Sequence, residues 1–161
     1  MRVENRVLPG GPTVVDILAN AAFYYGLIRM LTADERPVWS QMSFSAAEEN
    51  FHRAAREGID AQVYWARHRR AARRRAGVAP VVAARPRGAR PRRHRSGRPH
   101  RLLEIVERRC VTQRNGATWQ SATSHHHYEQ AQLDRLDALR EMTVRYRELM
   151  HGNLPVHEWP M

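Results

Sequence analysis

Three consecutive histidines, His125, His126 and His127, are the residues of this chain that first bring metal chemistry to mind. Imidazole nitrogens bind zinc and other transition metals. Neighbouring residues of a helix point about 100° apart, however, so three in a row cannot share one helix face. A structural zinc site also needs four ligands, usually with cysteine among them. We therefore expect at most adventitious metal binding by this run.

Cys110 is the one cysteine of the chain and its one candidate thiol nucleophile. A nucleophilic thiol needs a base within hydrogen-bond reach, and no His or Asp stands at a telling spacing on the helix predicted around Cys110. We expect Cys110 to be a small packing residue. A single cysteine cannot form an intrachain disulfide, which is typical of a reducing compartment and favours a cytoplasmic location.

Positive charge could bind nucleic acid, and the formal net charge is +11. Residues 66–101 hold 14 of the 27 arginines and no acidic residue. The rest of the chain has 13 arginines against 16 acidic residues, a net charge of −3. Dense positive charge attracts a phosphate backbone without reading its sequence, and the segment has no aromatic side chain to stack on bases. One alternative function is therefore non-specific polyanion binding through residues 67–101.

The arginine segment, residues 66–101, also differs in composition from everything around it. Arg, Ala, Pro and Gly make up 29 of its 36 residues, which leaves too little apolar surface to offset the entropy of ordering. We expect disorder, with at most a helical turn near Arg69–Arg75. The absence of lysine from the whole chain is typical of GC-rich coding DNA, which also yields these four residues in a shifted frame. A frameshifted segment is the favoured explanation, and a selected basic linker is the alternative.

Apolar periodicity predicts the elements that must position any site. Residues 13–31 carry apolar residues at a spacing of 3–4, with Asp16 in the first turn, and are predicted to form a helix. Ser45 to Glu48 matches a capping box, with Phe44 as a hydrophobic staple, for a helix over 46–57 that ends at Gly58. Further helices are predicted over 102–111 and 129–150, with a turn at Asn115-Gly116 between them and a short strand at 2–8 before the first helix.

The predictions about membrane insertion and about binding to a partner protein both depend on the same apolar helices. No apolar run approaches the roughly 20 residues that span a bilayer, and the N-terminus lacks the apolar core of a signal peptide, so we expect no membrane. The apolar faces of 13–31 and 129–150 could instead pair with a partner. A helical interaction module is therefore a third possible function.

Several stretches of the chain resemble bacterial glutamate–cysteine ligases and related carboxylate–amine ligases. They are 2–9 with 11–16 and 19–27, then 114–120, and finally 145–151 with 155–157 and 159–160. The resemblance covers about 1–65 and 102–161 and skips the arginine segment. It implies a chain divided into a ligase-like strand with helices over 1–65, the segment 66–101, and ligase-like C-terminal helices over 102–161.

The resemblance implies the C-terminal helical part of an α+β, glutamine-synthetase-like fold, mainly α in this chain with one N-terminal strand. In such ligases ATP, with Mg²⁺, phosphorylates the γ-carboxylate of glutamate, and the amine of cysteine or another acceptor displaces the phosphate, a reaction of the glutathione-biosynthesis type. The family's metal-binding carboxylates and most of its sheet lie upstream of the point where this chain begins. By this family resemblance we therefore expect the chain to belong to an ATP-dependent ligase and to be inactive alone. An upstream ligase fragment is its expected partner.

The resemblance also assigns site residues. The family's Glu-x-Arg strand motif falls on Glu4 and Arg6, which implies that Glu4 holds Mg²⁺ and that Arg6 is a catalytic residue that holds phosphate oxygens. The family's Gly-Ala-x-x-Gln pattern falls on the region of Asn115, Trp119 and Gln120, which implies a contribution to the substrate pocket. Trp119 is equally well explained as an ordinary core anchor.

Overall fold

The structure, a computed structural model, describes residues 10–65, 72–75 and 98–161. This part of the chain is mainly helical, as predicted, with five α-helices, three single 3-10 turns and one two-stranded sheet. In chain order the elements are α1 (Val14–Thr32), α2 (Phe44–Glu57), β1 (Gln62–Trp65), β2 (Ala72–Arg75), α3 (Arg98–Thr112), α4 (Gly116–Glu129) and α5 (Arg135–His151). The strand predicted at 2–8 lies outside the described residues.

Helix α1 begins where the sequence places it. Thr13 is the N-cap, and its side-chain oxygen accepts a hydrogen bond from the backbone N–H of Asp16 at 3.2 Å. Gly11 passes so close to this first turn that a Cβ there would lie 2.6 Å from the Cβ of Asp16. Only glycine fits this approach, so Gly11 marks a tight entry into the helix.

Helix α1 has 19 residues and, among the described residues, is the one helix long and apolar enough to cross a membrane by length and composition. The expectation that no apolar stretch approaches that length is therefore wrong. Length and composition alone do not separate a membrane span from a core helix.

Helix α2 starts two residues earlier than predicted, at Phe44 instead of at residue 46. Its N-cap is Ser43, whose side chain accepts from the backbone N–H of Ala46 at 3.2 Å, and Phe44 is the first helical residue. The predicted capping box at Ser45 is therefore wrong, because Ser45 lies inside the helix, with its hydroxyl 3.1 Å from that of Ser43. The helix ends as predicted at Gly58, which has a φ of 58°.

The sheet pairs β1 with β2 in antiparallel register, with Val63 opposite Arg74 and Tyr64 opposite Arg73. The other edge of β1 is met by a side chain: Asn50 of α2 donates to the carbonyl of Tyr64 and accepts from its N–H, both at 2.7 Å. An amide side chain thus replaces a neighbouring strand at this edge. Residues 72–75 therefore form a strand, and the helical turn expected there is wrong.

The C-terminal half differs from the prediction in where its helices start and in how many there are. Helix α3 starts at Arg98, inside the arginine segment, instead of near Leu102. The helix predicted over 129–150 corresponds to α5, which starts at Arg135 instead of at residue 129. Helix α4, over Gly116–Glu129, has no counterpart in the prediction, and it packs against α5. Asp134 caps α5 by accepting from the backbone N–H groups of Leu136 and Asp137 at 2.8 and 2.9 Å. An Asp before an apolar run is a helix-start signal, and here it outweighs the continuing periodicity.

The hydrophobic core lies between α4, α5 and the C-terminal tail, residues 152–161. Trp119, Val156 and Trp159 are fully buried and are packed against half-buried side chains of α5, namely Met142, Tyr146 and Leu149. The rings of Trp119 and Trp159 meet edge to face with centroids 5.1 Å apart. Helix α1 lies mainly against α3, and the 3-10 turn Val156–Glu158 contacts α3 as well. The tail therefore joins both pairs of helices.

Candidate functional site

The sequence-predicted substrate residues lie at the start of α4. Asn115 is the N-cap: its side chain accepts from the N–H of Thr118 at 2.9 Å, while its own N–H donates to the Thr118 hydroxyl at 2.8 Å. This reciprocal pair is a capping box, so the Asn115 side chain is committed to holding the helix end. Glu4 and Arg6, the predicted Mg²⁺ ligand and catalytic residue, lie outside the described residues.

Trp119 occupies the core. It is 1% exposed, its indole N–H donates to the carbonyl of Pro160 at 2.9 Å, and its ring meets those of Tyr146 and Trp159. Gln120 follows it on α4 and is half-buried. Of the three residues, Asn115 and Trp119 thus hold α4 and the tail in place, and the core-anchor explanation of Trp119 agrees with its surroundings.

The histidine run lies in the last turns of α4. His125 pairs with Glu129 on the surface at 3.0 Å, and the rings of His126 and His127 are 5.8 Å apart. Within residues 10–65, 72–75 and 98–161, no three His, Cys, Asp or Glu side chains are grouped so that they could hold a metal ion. The run offers surface imidazoles rather than a built site.

Cys110 is half-buried on α3. Burial raises the pKa of its thiol above the ordinary value, and the neighbouring Arg109 only partly offsets this effect. A raised pKa lowers the thiolate fraction at neutral pH. The surroundings of Cys110 therefore favour the packing role that the sequence predicts.

The most connected polar site in the described chain is the buried carboxylate of Asp16, for which the sequence predicted only a place in the first turn of α1. Asp16 is fully buried, and one of its oxygens accepts from an Arg109 Nη at 2.6 Å. The other oxygen accepts from the hydroxyl of Thr13 at 2.8 Å and from the backbone N–H of Val156 at 3.1 Å. Arg109 also donates to the side chain of Asn20 at 2.7 Å and to the backbone carbonyl of Asp16 at 3.2 Å. We call these five residues the Asp16 cluster.

The Asp16 cluster ties together three distant parts of the chain. Asp16 belongs to the start of α1, Arg109 to the end of α3, and Val156 to the C-terminal tail, with sequence separations of 93 and 140 residues. Both carboxylate oxygens are occupied by donors, and the side chain is fully buried. Such a carboxylate cannot reach a substrate. The geometry fits an anchor that fixes how α1 enters the helical core.

A second anchor follows a few residues further along the tail. The Arg114 guanidinium donates to the carbonyl of Trp159, and the Trp159 indole N–H donates to the carbonyl of Leu154 at 2.9 Å. Together with the hydrogen bond from Trp119 to Pro160, these contacts give donors to three backbone carbonyls of the tail. The tail itself has only a single 3-10 turn. The position of the tail is therefore fixed by side chains of α4 and of the loop before it.

His157 lies in the tail beside the Asp16 cluster, with 9% of its side chain exposed. Burial lowers the pKa of His157 below its ordinary value, Glu158 and Asp16 act in the opposite direction, and Arg109 and Arg108 add to the lowering. Its Nδ1 is buried and, like Nε of Arg109, has no hydrogen-bond partner among the described residues. A neutral imidazole is therefore favoured in the folded chain.

We predict that the free energy of unfolding falls as the pH is lowered through about 6.5, the ordinary pKa of histidine. The reason is that the unfolded chain takes up a proton at His157 there, whereas the folded chain does so only at lower pH, so protonation favours unfolding. Urea unfolding at a series of pH values measures how steeply the free energy of unfolding changes with pH. The substitution His157→Gln is expected to flatten the pH dependence of the unfolding free energy. Equal slopes in the parent and in His157→Gln would contradict this assignment.

The sequence carried only part of the signal for the Asp16 cluster. A carboxylate on a helix as apolar as α1 must be paired if it is buried, so a partner could be anticipated. The chain holds 27 arginines, however, and no spacing rule points to Arg109, which lies on another helix. The Val156 N–H was still less predictable, because a backbone donor carries no sequence signature.

Comparison with known proteins adds no constraint. No family model, no curated protein and no solved structure matches the chain. The ligase resemblance thus remains an expectation from the sequence.

Proposed function

We propose that this chain is the C-terminal helical part of an ATP-dependent carboxylate–amine ligase of the glutamate–cysteine ligase type, inactive by itself. The observation that supports this proposal is that the separate ligase-like stretches pack against one another. Stretch 11–16 supplies Asp16, stretch 114–120 supplies Arg114 and Trp119, and the tail supplies Val156 and Trp159. Their hydrogen bonds and ring contacts link all of them into one core.

In this proposal the helical core holds the segment that carries the reacting groups. Arg6 precedes the N-cap Thr13 by seven residues, and the Asp16 cluster fixes the helix that starts there. Glu4 would hold Mg²⁺ through its carboxylate, and Arg6 would offset negative charge on the transferred phosphoryl group. The substrates would be ATP, glutamate, and cysteine or another amine, with a sheet-bearing ligase part as the partner.

We predict no ligase activity from the purified chain, because phosphoryl transfer depends on metal ions and charges positioned by several elements together. The measurement is phosphate release that requires ATP, glutamate and cysteine at once. Adding a polypeptide that carries the sheet and the metal-binding carboxylates of such a ligase is expected to produce activity. Glu4→Ala and Arg6→Ala are expected to abolish it.

The matched control is Asn5→Ala, since a residue between Glu4 and Arg6 in a strand points to the opposite face. It is expected to retain most of the reconstituted activity. Reconstitution that fails with every such polypeptide, or that is lost equally in Asn5→Ala, would overturn the proposed function. Activity from the chain alone that disappears in Glu4→Ala would overturn the statement that it is inactive by itself.

A reading of the coding DNA tests the same proposal independently of any folding. If residues 66–101 come from a shifted frame, the restored frame is expected to encode acidic, helix-compatible sequence. If no alternative reading frame of the DNA encodes such a sequence, a selected basic linker is favoured instead. That linker would leave polyanion binding through residues 67–101 as the competing function.

A further inference from the structure

Helix α1 has two faces of different character. One face lies on α3 and carries the buried Asp16 and Ala19 and the half-buried Asn20. The opposite face is open, although it is strongly apolar. Its large side chains are exposed as follows: Val14 63%, Ile17 48%, Leu18 51%, Tyr25 71% and Ile28 40%. Several exposed large apolar residues on one helix face mark an interaction surface more often than a solvated one.

The open face follows the spacing of a helix-pairing seam. Its central line, which we call the α1 seam, consists of Val14, Leu18, Ala21, Tyr25, Ile28 and Thr32. Successive members are separated by four and three residues in strict alternation, the repeat that places side chains along one line of contact with another helix. A flat sheet or an irregular loop does not require this alternation. The seam therefore points to a helix as the occupant.

We propose that the α1 seam pairs with the α1 seam of a second copy of this chain, with the two helices antiparallel. In that orientation Leu18 meets the partner's Ile28, and Ala21 meets the partner's Tyr25 on both sides of the two-fold axis. The smallest seam residue then faces the largest, which lets the helices approach closely over their centre. A parallel pair would place Tyr25 on Tyr25 and Ala21 on Ala21, which leaves a crowded layer next to an empty one.

Charge favours the same orientation. Arg29 lies beside the seam, is exposed, and is the one basic residue of α1, while Asp16 lies on the opposite, buried face. A parallel pair would bring the two Arg29 side chains together. An antiparallel pair offsets them by twelve residues, about 18 Å along the axis, which is beyond the Debye length of about 8 Å at physiological ionic strength.

The available area fits a modest dimer. From their exposed fractions, the five large apolar side chains offer about 500 Å² per copy, so a pair would bury about 1,000 Å², the lower bound for a specific interface. An interface of this size is apolar but small. A dissociation constant in the micromolar range, about 10 µM, is therefore expected rather than an obligate dimer.

A lipid bilayer is the competing occupant, because α1 is long and apolar enough to span one. The face of α1 that lies on α3 argues against it. Helix α3 carries the exposed charged residues Glu104 and Arg108 alongside the buried Arg109, and insertion of α1 would bring these charges to the membrane. A second helix covers the seam without moving them.

Sedimentation velocity over about 1–100 µM of the full chain, a range that brackets the expected constant, tests the proposal. A monomer–dimer equilibrium is expected. Leu18→Glu and Tyr25→Glu are expected to weaken it at least tenfold with unchanged helical circular dichroism. The matched control is Phe51→Glu, which changes a 60% exposed apolar residue of α2 and is expected to leave dimerisation unchanged.

Three results would overturn the proposal: a monomer throughout that range, equal weakening by Phe51→Glu, or a monomer that sediments with neutral phosphatidylcholine vesicles in place of dimerising. None of them bears on the ligase proposal, because reconstituted activity is measured with the sheet-bearing part present. A dimer is equally compatible with the failure of reconstitution.

Cross-linking tests the orientation and keeps the proposal falsifiable if the glutamate variants fail to fold. In a Cys110→Ser background, Ala21→Cys and Tyr25→Cys chains are prepared separately and mixed under mild oxidation. The antiparallel pair brings residue 21 of one chain to residue 25 of the other, so mixed disulfides are expected to dominate. Disulfides between identical chains that dominate instead would overturn the antiparallel arrangement, and no disulfide in any mixture would overturn the interface.

Discussion

Replacing Asp16 with asparagine is expected to lower the free energy of unfolding by about 3–5 kcal/mol, the cost of breaking a buried ion pair from one side. The substitution keeps the shape of the side chain but removes its charge. Arg109 is then left buried without a counter-charge, and one acceptor of the pair becomes a donor facing other donors. Urea or thermal unfolding followed by circular dichroism measures the loss.

The control is Asp137→Asn, which breaks an exposed pair with Arg140, where the side chains are 75% and 49% exposed. Exposed pairs contribute about 0–1 kcal/mol, so this variant is expected to unfold almost like the parent. The double variant Asp16→Leu with Arg109→Met removes both charges and is expected to recover part of the stability that Asp16→Asn loses. If Asp16→Asn is no more destabilising than Asp137→Asn, the Asp16 cluster is not the anchor described above.

Truncating Trp119 to alanine is expected to cost about 3–5 kcal/mol of unfolding free energy. The substitution empties the centre of the core, separates α5 from the tail, and leaves the carbonyl of Pro160 without its indole donor. Trp119→Phe keeps most of the ring and loses that hydrogen bond, so a smaller loss of about 1–3 kcal/mol is expected from it. Chemical denaturation of both variants measures which of them loses more unfolding free energy.

Trp39→Ala is the matched control, since Trp39 is 83% exposed. A surface substitution of this kind is expected to change stability by about 0.5 kcal/mol or less. The comparison also separates the two interpretations of Trp119. A residue that serves mainly in a substrate pocket would leave the unfolding free energy of Trp119→Ala close to that of Trp39→Ala, and the core role would then be wrong.

Local sequence signals predicted α1, α2, α3 and α5 as helices, but they did not predict α4. The apolar spacing over 13–31, with a threonine before it and an acid in the first turn, predicted α1 to within one residue at each end. Gly58 ended α2 as expected, because a positive φ costs glycine nothing. These signals are local and depend on the backbone and the nearest turn only.

The sequence signals predicted the wrong helix start where two local rules competed. Ser43 and Ser45 both suit an N-cap, and a capping-box pattern favoured the wrong one because Glu48 stands three residues after Ser45. The apolar stripe from Leu133 to Leu149 begins before the cap at Asp134, so periodicity placed the start of α5 at residue 129 instead of at Arg135. In the arginine segment, composition alone gave no reason to expect the strand at 72–75, which depends on pairing with β1.

The sequence by itself determined that this chain is mainly helical, that its positive charge is concentrated in one segment, and where α1 and α2 end. Each of these properties follows from composition or from residues within a turn of one another. Only the tertiary structure decided that Asp16 pairs with Arg109 and with the N–H of Val156, and that Trp119 is a core residue. These partners are separated by 93 and 140 residues, and their choice depends on how the helices and the tail pack rather than on any local spacing.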